Sequence, residues 1–491
     1  MSPVPVGILH SKSGTMAISE APLVEAELMA IAEINQAGGV LGQLLEPILE
    51  DGASDPTMFE AKARKLIQCD RVTTIFGCWT SAVRKAVLPV FEEFNALLWY
   101  PVQYEGLECS KNIFYIGSCP NQQVEPAVNW LLHNSKDRFY LLGSNYVFPR
   151  TANSIIKAQL KQQGGTVVGE EYVRLGMQEF AEIITRIQQA QPDVVFNTLN
   201  GDSNLAFYHQ YQESGITADK IPILAVSVAE AEIQRIGEAA VGHYACWSYF
   251  QSLDTPQNRK FVQNFQRNYG ADRVTSDPIE AAYTQVYLWK QAVELAQSFD
   301  VDRVRVAAYG QSFQAPSGLV RIEPNHHVWK VCRIGRILPT GQFEIIHTSD
   351  YPIKPLPWLG VEELQVEGSS HTLQPATPVR PHKWNAVIEL LAEVSQGIHT
   401  VCQLEQKFRE VEAAKAQLQE ELAKRLRVEE IVLESEAELQ ALFAAMNEIV
   451  LVIDAQGRYL KIAPTNSALF LKPADELIGK TLHEMFEPSQ A

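Results

Sequence analysis

The amino-acid sequence predicts an α/β fold with two doubly wound lobes and a cleft between them. Short apolar runs, which are typical of buried parallel strands, alternate with amphipathic stretches of helical period. The alternation begins again near residue 138, after a first series of similar length, and this restart indicates a second lobe. Polar residues follow several of the apolar runs, and ligands bind at this edge of such sheets.

Residues 77–106 show the pattern most clearly and organise the first lobe. An apolar run at 72–76 ends at Gly77, and Thr80 and Ser81 then open an amphipathic helical pattern. A second apolar run, at 97–100, stops at a proline. The other elements expected in this lobe are strands at 4–9, 45–49 and 113–116 and helices at 19–36 and from Pro56 onward.

The second series of elements predicts the second lobe and the segments that return from it. We expect its long amphipathic helix, at 279–297, to pack near the hinge between the lobes. With these elements the ligand-binding domain spans residues 1–360. The other elements expected here are strands at 138–142, 194–197, 223–225, 319–322 and 328–334 and helices at 151–163, after a Ser203 cap, and at 301–308.

Length and charge restrict the class of protein. A chain of 491 residues exceeds one ordinary core and predicts roughly two to four domains. The formal net charge of -17, without a basic cluster, argues against nucleic acid as a partner. No apolar run reaches the length of a membrane span, and the N-terminus lacks a basic and apolar leader. We therefore expect a cytoplasmic protein, or a periplasmic one if a leader has been removed.

The cysteines do not indicate a cofactor or a catalytic centre. There are seven, an odd number, and none is arranged as CxxC, so we expect neither a disulfide framework nor a metal site. The alternative is an amidase-type nucleophile at Cys78, but the sequence offers no neighbouring base to activate it. Buried free thiols, no cofactor and no catalytic residues are the expectation.

Beyond residue 360 the composition changes, and three further regions are expected. Residues 361–382 are proline-rich and aperiodic, as in a linker. Residues 383–442 carry apolar positions at coiled-coil spacing, interrupted by Lys415, and predict a signalling helix that forms a homodimer. The alternative is an amphipathic helix on the protein's own surface. Residues 443–491 predict a β-hairpin, with strands at 449–454 and 459–462, and short helices at 466–470 and 474–478.

Several motifs within residues 4–360 are distinctive: GILHSKSGTMAISE, GCWTSAVRKAVLPVFE, LLWYPVQYEGLE, GSNYVFPRTAN and NTLNGDSN. They resemble the urea- and short-chain-amide-binding receptors of the type I periplasmic binding protein superfamily. The resemblance implies the type I periplasmic-binding-protein fold, in which two lobes close on a small ligand. Branched-chain amino-acid receptors of the same superfamily match these motifs less well. Residues 446–486 resemble the first half of a PAS domain from bacterial sensor kinases and cyclases.

By this resemblance, the family's ligand-binding positions fall at strand ends and helix starts that face the cleft. They are Trp79, Thr80, Ser81, Tyr100, Gln103, Tyr146, Phe148, Asn200, Asp202 and Ser227. Thr80 and Ser81 suit a carbonyl oxygen, and the Asp202 carboxylate suits an N–H donor. The aromatic members would form a box around the ligand. Each position has a structural alternative: Thr80, Ser81 or Asp202 as a helix cap, and Trp79 or Phe148 as core.

The expected ligand is small, neutral and polar. Lys12 and Arg150 are the basic residues near the strand ends, whereas an amino acid would need partners for both of its charges. Trp79 and Val102 fit the urea-type version of the family pattern better than the amide-type version. Urea is therefore the first expected ligand, and a short-chain amide is the second.

The expected function is that of a sensor, and this segment is not expected to be an enzyme. Ligand would close the lobes, and the coiled coil would pass the closure to the PAS region and to an output kinase or cyclase domain outside this segment. The alternative is a substrate-binding receptor of an ABC transporter for urea, amides or branched-chain amino acids. A third possibility, an amide hydrolase, predicts the release of ammonia.

Overall fold

A computed structural model describes residues 3–108, 110–357, 451–462 and 474–485. These residues belong to two compact units that divide after residue 403. The linker predicted at 361–382 and the coiled coil predicted at 383–442 lie outside the described residues. Both stay predictions, as do the domain boundaries.

The first lobe contains a five-stranded, entirely parallel sheet with the strand order β2-β1-β3-β4-β5. The elements are β1 (Val4–His10), α1 (Ala17–Gln36), β2 (Leu45–Asp51), α2 (Pro56–Gln68), β3 (Thr74–Gly77), α3 (Ser81–Glu93), β4 (Leu97–Tyr100) and β5 (Ile113–Tyr115). Successive strand residues such as Ile75 and Phe76 belong to separate apolar clusters, because neighbouring side chains point to opposite faces. Both faces are therefore buried, which explains why the strands read as continuous apolar runs.

The chain then enters the second lobe through a short 3-10 turn, Pro120–Gln122. The elements of this lobe are α4 (Val124–His133), β6 (Arg138–Ser144), α5 (Val147–Gln163), β7 (Thr166–Val173), α6 (Ala181–Ala190), β8 (Val194–Thr198), α7 (Ser203–Glu213), β9 (Ile223–Ala225), α8 (Glu230–Ile236) and β10 (Tyr244–Trp247). The neighbouring pairs β7–β6, β6–β8, β8–β9 and β9–β10 are all parallel.

The chain crosses between the lobes twice more, from β10 to α9 and from β12 to β13. The returning elements are α9 (Pro256–Tyr269), α10 (Asp277–Ala296), α11 (Val301–Ala308), β11 (Ser312–Ala315), β12 (Gly318–Arg321), β13 (Arg333–Ile337) and β14 (Phe343–Thr348). Helices α10 and α11 pack in the core of the first lobe. Strands β13 and β14 extend the second sheet, which has the order β14-β13-β10-β9-β8-β6-β7.

Several element boundaries differ from the sequence prediction. Helix α5 begins at Val147 and not at residue 151, and it tolerates Pro149 because the N–H groups of a first turn have no intrahelical partner. Strand β13 begins at Arg333, because most of the apolar run 328–332 forms a crossing segment with only isolated bridges. The N-cap of α7 is Asp202, and the predicted cap, Ser203, is the first helical residue.

The predicted hinge helix lies mainly inside the first lobe. Helix α10 packs against α1 and α11 along its length. Its start meets a crossing segment, where the Asp277 carboxylate accepts a hydrogen bond from the backbone N–H of Ser248 at 2.9 Å. The helix therefore anchors a crossing at one end and contributes core along the rest.

The second unit is described over a hairpin and two short helices. β15 (Leu451–Ile453) pairs antiparallel with β16 (Tyr459–Ile462), as the sequence predicts, and α12 (Ala474–Leu477) and α13 (Leu482–Met485) follow. Tyr459, Leu477 and Met485 form a small buried cluster. The helix predicted at 466–470 lies outside the described residues. In the ranges that the structure describes, no helix has both the length and the apolar character needed to cross a membrane.

Candidate functional site

The turn between β3 and α3 places Trp79, Thr80 and Ser81 at the carboxyl edge of the first sheet. Cys78 in this turn has a φ of 68°, a left-handed conformation that is uncommon for a residue with a side chain. Thr80 is the N-cap of α3, and its Oγ1 accepts a hydrogen bond from the backbone N–H of Val83 at 3.3 Å. Because Thr80 accepts in this bond, its hydroxyl hydrogen is still available for a ligand.

Trp79 and Tyr100 connect the end of β4 with the second lobe. The Tyr100 hydroxyl donates to the Trp79 carbonyl. Trp79 Nε1 in turn donates to Asn200 Oδ1 across the cleft, at 3.4 Å. Both aromatic residues are buried. Since the Tyr100 hydrogen is already used, its oxygen can only accept a hydrogen bond from a ligand.

A buried ionic cluster lies behind these residues. Arg84 Nε donates to Glu108 at 2.6 Å, and Arg84 Nη2 donates to Glu105 at 3.0 Å. The Ser81 hydroxyl donates to Glu105 and accepts from Arg84 Nη1 at 3.1 Å. The guanidinium also lies 4.9 Å from the ring centroid of Tyr100. The Ser81 hydroxyl therefore bonds within this cluster and has no hydrogen for the ligand carbonyl that it was predicted to bind.

The charges of the cluster balance one another. Burial would raise the pKa of Glu108, but attraction to Arg84 and then to Lys85 outweighs burial and lowers the pKa to about 2. Lys85 Nζ lies 2.8 Å from the Glu108 carboxylate. Glu108 therefore stays ionised at neutral pH and holds the Arg84 guanidinium.

The second lobe contributes a neutral network to the same cleft. The backbone N–H of Asn200 donates to Ser144 Oγ at 3.1 Å, and Asn200 Nδ2 donates to the Thr198 carbonyl at 3.2 Å. The Ser227 hydroxyl donates to the Leu199 carbonyl. These residues are all buried. The Ser227 oxygen, like that of the tyrosine at the end of β4, keeps only acceptor capacity.

Gln103 forms a further bridge between the lobes. Its Nε2 donates to the Val226 carbonyl at 2.9 Å, and the same carbonyl accepts from Gln123 Nε2 at 3.2 Å. Gln123 Nε2 also donates to the Cys246 carbonyl at 2.7 Å. A flipped Gln103 amide would turn its oxygen toward the Val226 carbonyl, so the orientation is fixed by the bond. Within the described residues, Gln103 Oε1 is buried and has no hydrogen-bond partner.

Direct contacts close the cleft beside the start of α1. The Thr15 hydroxyl donates to Asp202, and the Ser19 hydroxyl donates to Glu232 at 2.6 Å. Gly201 has a φ of 68°, and a Cβ there would lie 2.8 Å from the Thr15 carbonyl, so this approach requires glycine. Asp202 occupies the N-cap position of α7 but makes no capping bond. Its contact is across the cleft, which argues against the capping alternative.

Tyr146 and Phe148 lie at the start of α5. Although part of Tyr146 is exposed, burial raises the pKa of its hydroxyl well above the usual value, and Tyr100 and then Glu105 raise it further. The groups that act on the Tyr146 hydroxyl therefore belong to the first lobe. Phe148 is buried in the apolar core of the second lobe, and its ring centroid lies 6.4 Å from that of Tyr146. The core alternative therefore describes the main packing of Phe148.

The predicted residues fall into two groups. Two of them have neighbours outside the cleft: the Ser81 hydroxyl bonds to the ionic cluster and Phe148 packs in the core. The others surround or bridge the contact between the lobes: Trp79, Thr80, Tyr100, Gln103, Tyr146, Asn200, Asp202 and Ser227. Contact of any of them with a ligand stays a prediction.

The residues that hold the site, above all Arg84, were not predicted from the sequence. A signal was present, because Arg84 lies on the helical face of Val87 and Phe91, and a charge on a buried face needs a partner. The partners Glu105 and Glu108 lie in a loop without periodicity, so no local pattern identifies them.

Two α/β lobes that contact each other across a polar cleft define a bilobal ligand-binding protein. A family profile described as a periplasmic binding protein domain matches residues 4–364, which is most of the chain. The chain belongs to this family, and the predicted fold class is confirmed. A PAS fold profile matches residues 443–491, in agreement with the predicted C-terminal domain.

Individual relatives show the range of this likeness. The chain is 42% identical over 119 residues to a Geobacillus stearothermophilus protein named limonene hydroxylase, covering 24% of this chain and 22% of that protein. It is 24% identical over 277 residues to Leu/Ile/Val-binding protein homolog 6 of Brucella melitensis, covering 55% of this chain and 71% of that protein. A solute binding protein of an R. palustris ABC transporter, solved with 4-hydroxybenzoate, has a TM-score of 0.66 at 22% identity, covering 72% and 98% of the two chains. This last likeness shows the fold alone.

Proposed function

We propose that the cleft binds urea or a short-chain amide. The observation that carries the proposal is the excess of hydrogen-bond acceptors around the cleft. The hydroxyls of Tyr100 and Ser227 have used their hydrogens on backbone carbonyls, and Gln103 Oε1 is buried without a partner in the described part of the chain. Urea and small amides present N–H donors in a small volume and have one carbonyl acceptor. Their hydrogen-bonding capacity therefore complements that of the cleft.

The start of α3 is the proposed site for the ligand carbonyl. Thr80 has a hydroxyl hydrogen to donate, and the first N–H groups of a helix lack intrahelical partners. The partial positive charge of a helix N-terminus also favours a carbonyl oxygen. The ligand would thus place its oxygen toward the first lobe and its N–H groups toward the surrounding acceptors.

The charges around the cleft favour a neutral ligand over a carboxylate. The positive charge that acts on both Tyr100 and Tyr146 belongs to Arg84, which is already paired with two glutamates. Lys12 is exposed, and Arg150 donates to Asn145 at 2.8 Å. A buried carboxylate that lacks a cationic partner is strongly unfavourable. The proposed neutral ligand differs in this respect from 4-hydroxybenzoate, with which the R. palustris protein was solved.

A branched-chain amino acid is the second candidate ligand. The observation in its favour is the name of the Brucella relative, a Leu/Ile/Val-binding protein homolog that shares 24% identity with this chain. Binding of leucine would require a partner for its carboxylate, and Arg84 would have to leave Glu105 or Glu108 to provide one. The corresponding role would be that of a receptor for an ABC transporter.

We further propose that closure of the lobes is the signal of a sensor protein. A ligand that contacts both lobes stabilises the closed state by its difference in affinity for the two states, and a shift from 1:99 to 99:1 needs about 10⁴-fold. The predicted coiled coil at 383–442 would carry this change, within a homodimer, to the PAS region at 443–491. No turnover of the ligand is needed, which separates a sensor from the amide hydrolase alternative.

Calorimetric titration with urea, acetamide, formamide and leucine tests the ligand. Urea should bind and leucine should not. Gln103→Leu removes an acceptor for the ligand and a bridge between the lobes, so we expect urea binding to weaken by about tenfold or more. Asp202→Ala, which removes the contact with Thr15, should also weaken it.

Gln159→Leu is the matched control for the Gln103 variant. Gln159 Nε2 also donates to a backbone carbonyl, that of Glu125 at 3.0 Å, and its Oε1 is also buried without a partner in the described residues. Gln159 is part of α5 and its side chain bonds to α4, so its replacement should leave urea affinity unchanged. Tight leucine binding with no urea binding would refute the proposed ligand, and ammonia release would show that the protein is a hydrolase.

A further inference from the structure

We infer that residues 353–357, called the exit segment below, carry lobe closure from the ligand cleft toward the C-terminal part of the chain. This inference rests on the proposed function and concerns how the same cleft is read out. The exit segment follows β14 and is the last described stretch of the first unit. Its backbone is bonded both to crossing segments of the hinge and to the loop that carries Gln103 and Glu105.

The first attachment is to the crossing between β5 and α4. Asn121 Nδ2 donates to the Lys354 carbonyl at 2.8 Å, and Asn121 Oδ1 accepts from the backbone N–H of Leu356 at 3.0 Å. The next residue, Gln122, donates from Nε2 to the Ile353 carbonyl at 2.8 Å. Side chains of a hinge crossing therefore hold the exit segment at three successive points along its backbone.

The second attachment is to the crossing between β12 and β13. The backbone N–H of Ile353 donates to the Lys330 carbonyl at 2.7 Å, and the Lys330 N–H donates back at 3.3 Å. Gln122 Nε2 also donates to the Val328 carbonyl at 2.9 Å, so one side chain joins both crossings to the exit segment. A change in the angle between the crossings would alter bonds on both sides of Ile353.

The third attachment leads directly to the ligand cleft. The backbone N–H of Leu107 donates to the Pro357 carbonyl at 2.9 Å. Gly106 has a φ of 73°, and a Cβ there would lie 2.2 Å from the Pro357 carbonyl oxygen, so the contact depends on glycine. The same loop carries Gln103, which bridges the lobes, and Glu105, which binds Ser81. Because Gln103 and Val226 belong to different lobes, we expect the Gln103 bridge to break when the lobes separate.

Because of these three attachments, we expect the exit segment to respond to closure of the lobes. Domain closure turns one lobe against the other through dihedral changes in a few crossing residues. The exit segment is bonded to two such crossings and to a first-lobe loop that closure engages. Its hydrogen bonds should therefore be more persistent in the closed state than in the open state, and the chain beyond residue 357 should sense the difference.

Amide hydrogen exchange of the full chain, with and without saturating urea, tests the inference. We expect urea to slow exchange of the Leu107 and Leu356 amides by about tenfold or more. Asn121→Ala removes both side-chain bonds to the exit segment while leaving the cleft residues in place. This variant should bind urea with unchanged affinity and lose the urea-dependent slowing at Leu356.

Asn35→Ala is the matched control. Asn35 clamps the backbone of Leu45 with the same pair of bonds, Nδ2 to the carbonyl at 2.8 Å and Oδ1 from the N–H at 2.7 Å, but at the start of β2. It should keep both urea binding and the slowing at Leu356. Equal exchange of Leu356 in free and urea-bound wild type, or undiminished slowing in Asn121→Ala, would overturn the inference.

An experiment without ligand distinguishes failure of this inference from failure of the proposed function. The double variant Thr15→Cys, Asp202→Cys places two thiols at a contact between the lobes, and oxidation by a small-molecule disulfide should lock the cleft closed. If wild type does not bind urea, the proposed ligand is wrong. Comparison of the oxidised and reduced double variant still tests whether the exit segment responds to closure. Slower Leu356 exchange in the oxidised form supports the inference, and equal exchange in both forms refutes it. Wild type under the same oxidation controls for the native cysteines.

Discussion

The two walls of the cleft hold their ligand-facing residues with different chemistry. The first-lobe wall depends on Arg84, whose guanidinium joins the start of α3 to Glu105 and Glu108 in the following loop. The second-lobe wall depends on Asn197, whose Oδ1 accepts from the Leu199 N–H at 2.8 Å and whose Nδ2 donates to Asn204 at 2.9 Å. Ion pairs hold the loop of one wall and neutral amide bonds hold the loop of the other, although both networks are buried.

The comparison illustrates two ways in which a loop can be held in a protein interior. An ion cluster gives strong and directional bonds, but removal of one member leaves a buried charge without a partner. An amide network is weaker, and the loss of one member leaves unsatisfied neutral groups. The placement also keeps the positive charge engaged behind the cleft, where it cannot attract a carboxylate ligand.

The largest expected effect comes from breaking the ionic wall. Arg84→Leu leaves Glu105 and Glu108 buried without their main partner, so the free energy of unfolding should fall by about 3–5 kcal/mol. Unfolding in guanidinium chloride measures this change, since urea is the proposed ligand. Arg64→Leu, which breaks surface ion pairs, is the control and should change stability by about 1 kcal/mol or less. Full stability of the Arg84 variant would contradict the ionic description.

A second prediction concerns Glu230, a buried carboxyl of the second lobe. Burial raises the pKa of Glu230, at the start of α8, to about 8. Between pH 4.5 and pH 8 the unfolded chain releases this proton and the folded protein keeps it, so the contribution of Glu230 to stability falls as pH rises. Glu230→Gln should be close to wild type at low pH and more stable by roughly 3–4 kcal/mol at pH 8.

Guanidinium unfolding across this pH range is the measurement for Glu230→Gln. The Glu230 carboxylate accepts a hydrogen bond from the Gln251 N–H at 2.7 Å, and glutamine can preserve that bond. Glu238→Gln, at an exposed position, is the control and should not change the pH dependence. A stability difference between Glu230→Gln and wild type that is constant over pH would show that the buried carboxyl is not the titrating group.

The alternation of elements could be predicted from the sequence because each strand and helix has a local apolar pattern. Strand β4 matches its predicted range, and the turn at Thr80 carries its cap in the predicted place. The crossing segment at 328–332 could not be separated from a strand, since its apolar residues are buried by other parts of the fold. The ionic wall was also missed, because the pairing of Arg84 with Glu105 and Glu108 depends on tertiary structure.

The candidate site was only partly predictable, because the local sequence identifies positions but not tertiary hydrogen bonds. Strand ends such as Tyr100 and helix starts such as Asp202 are recognisable from local sequence, and the resemblance to a family selected among them. The direction of each hydrogen bond is a tertiary property. Only the structure indicates that the Ser81 hydroxyl donates to Glu105 and that Gln103 donates to Val226.

The smallest predicted effect on stability comes from the neutral wall. Asn197→Leu keeps a similar volume but leaves the Leu199 N–H and the Asn204 amide oxygen without their partner, so unfolding free energy should fall by about 1–2 kcal/mol. Guanidinium unfolding measures the loss beside Arg84→Leu under the same conditions. A loss equal to that of the arginine variant would remove the contrast between the two walls.

The shared acceptor on Val226 has a consequence for the speed of ligand release. Gln103 must leave the Val226 carbonyl when the lobes separate, but Gln123, which is also bonded to Cys246 in the second lobe, can remain. When the lobes separate, the Val226 carbonyl therefore keeps one hydrogen-bond partner until water replaces Gln103. The barrier to opening is lower than for a carbonyl with a single partner, and the bound molecule should have a short residence time.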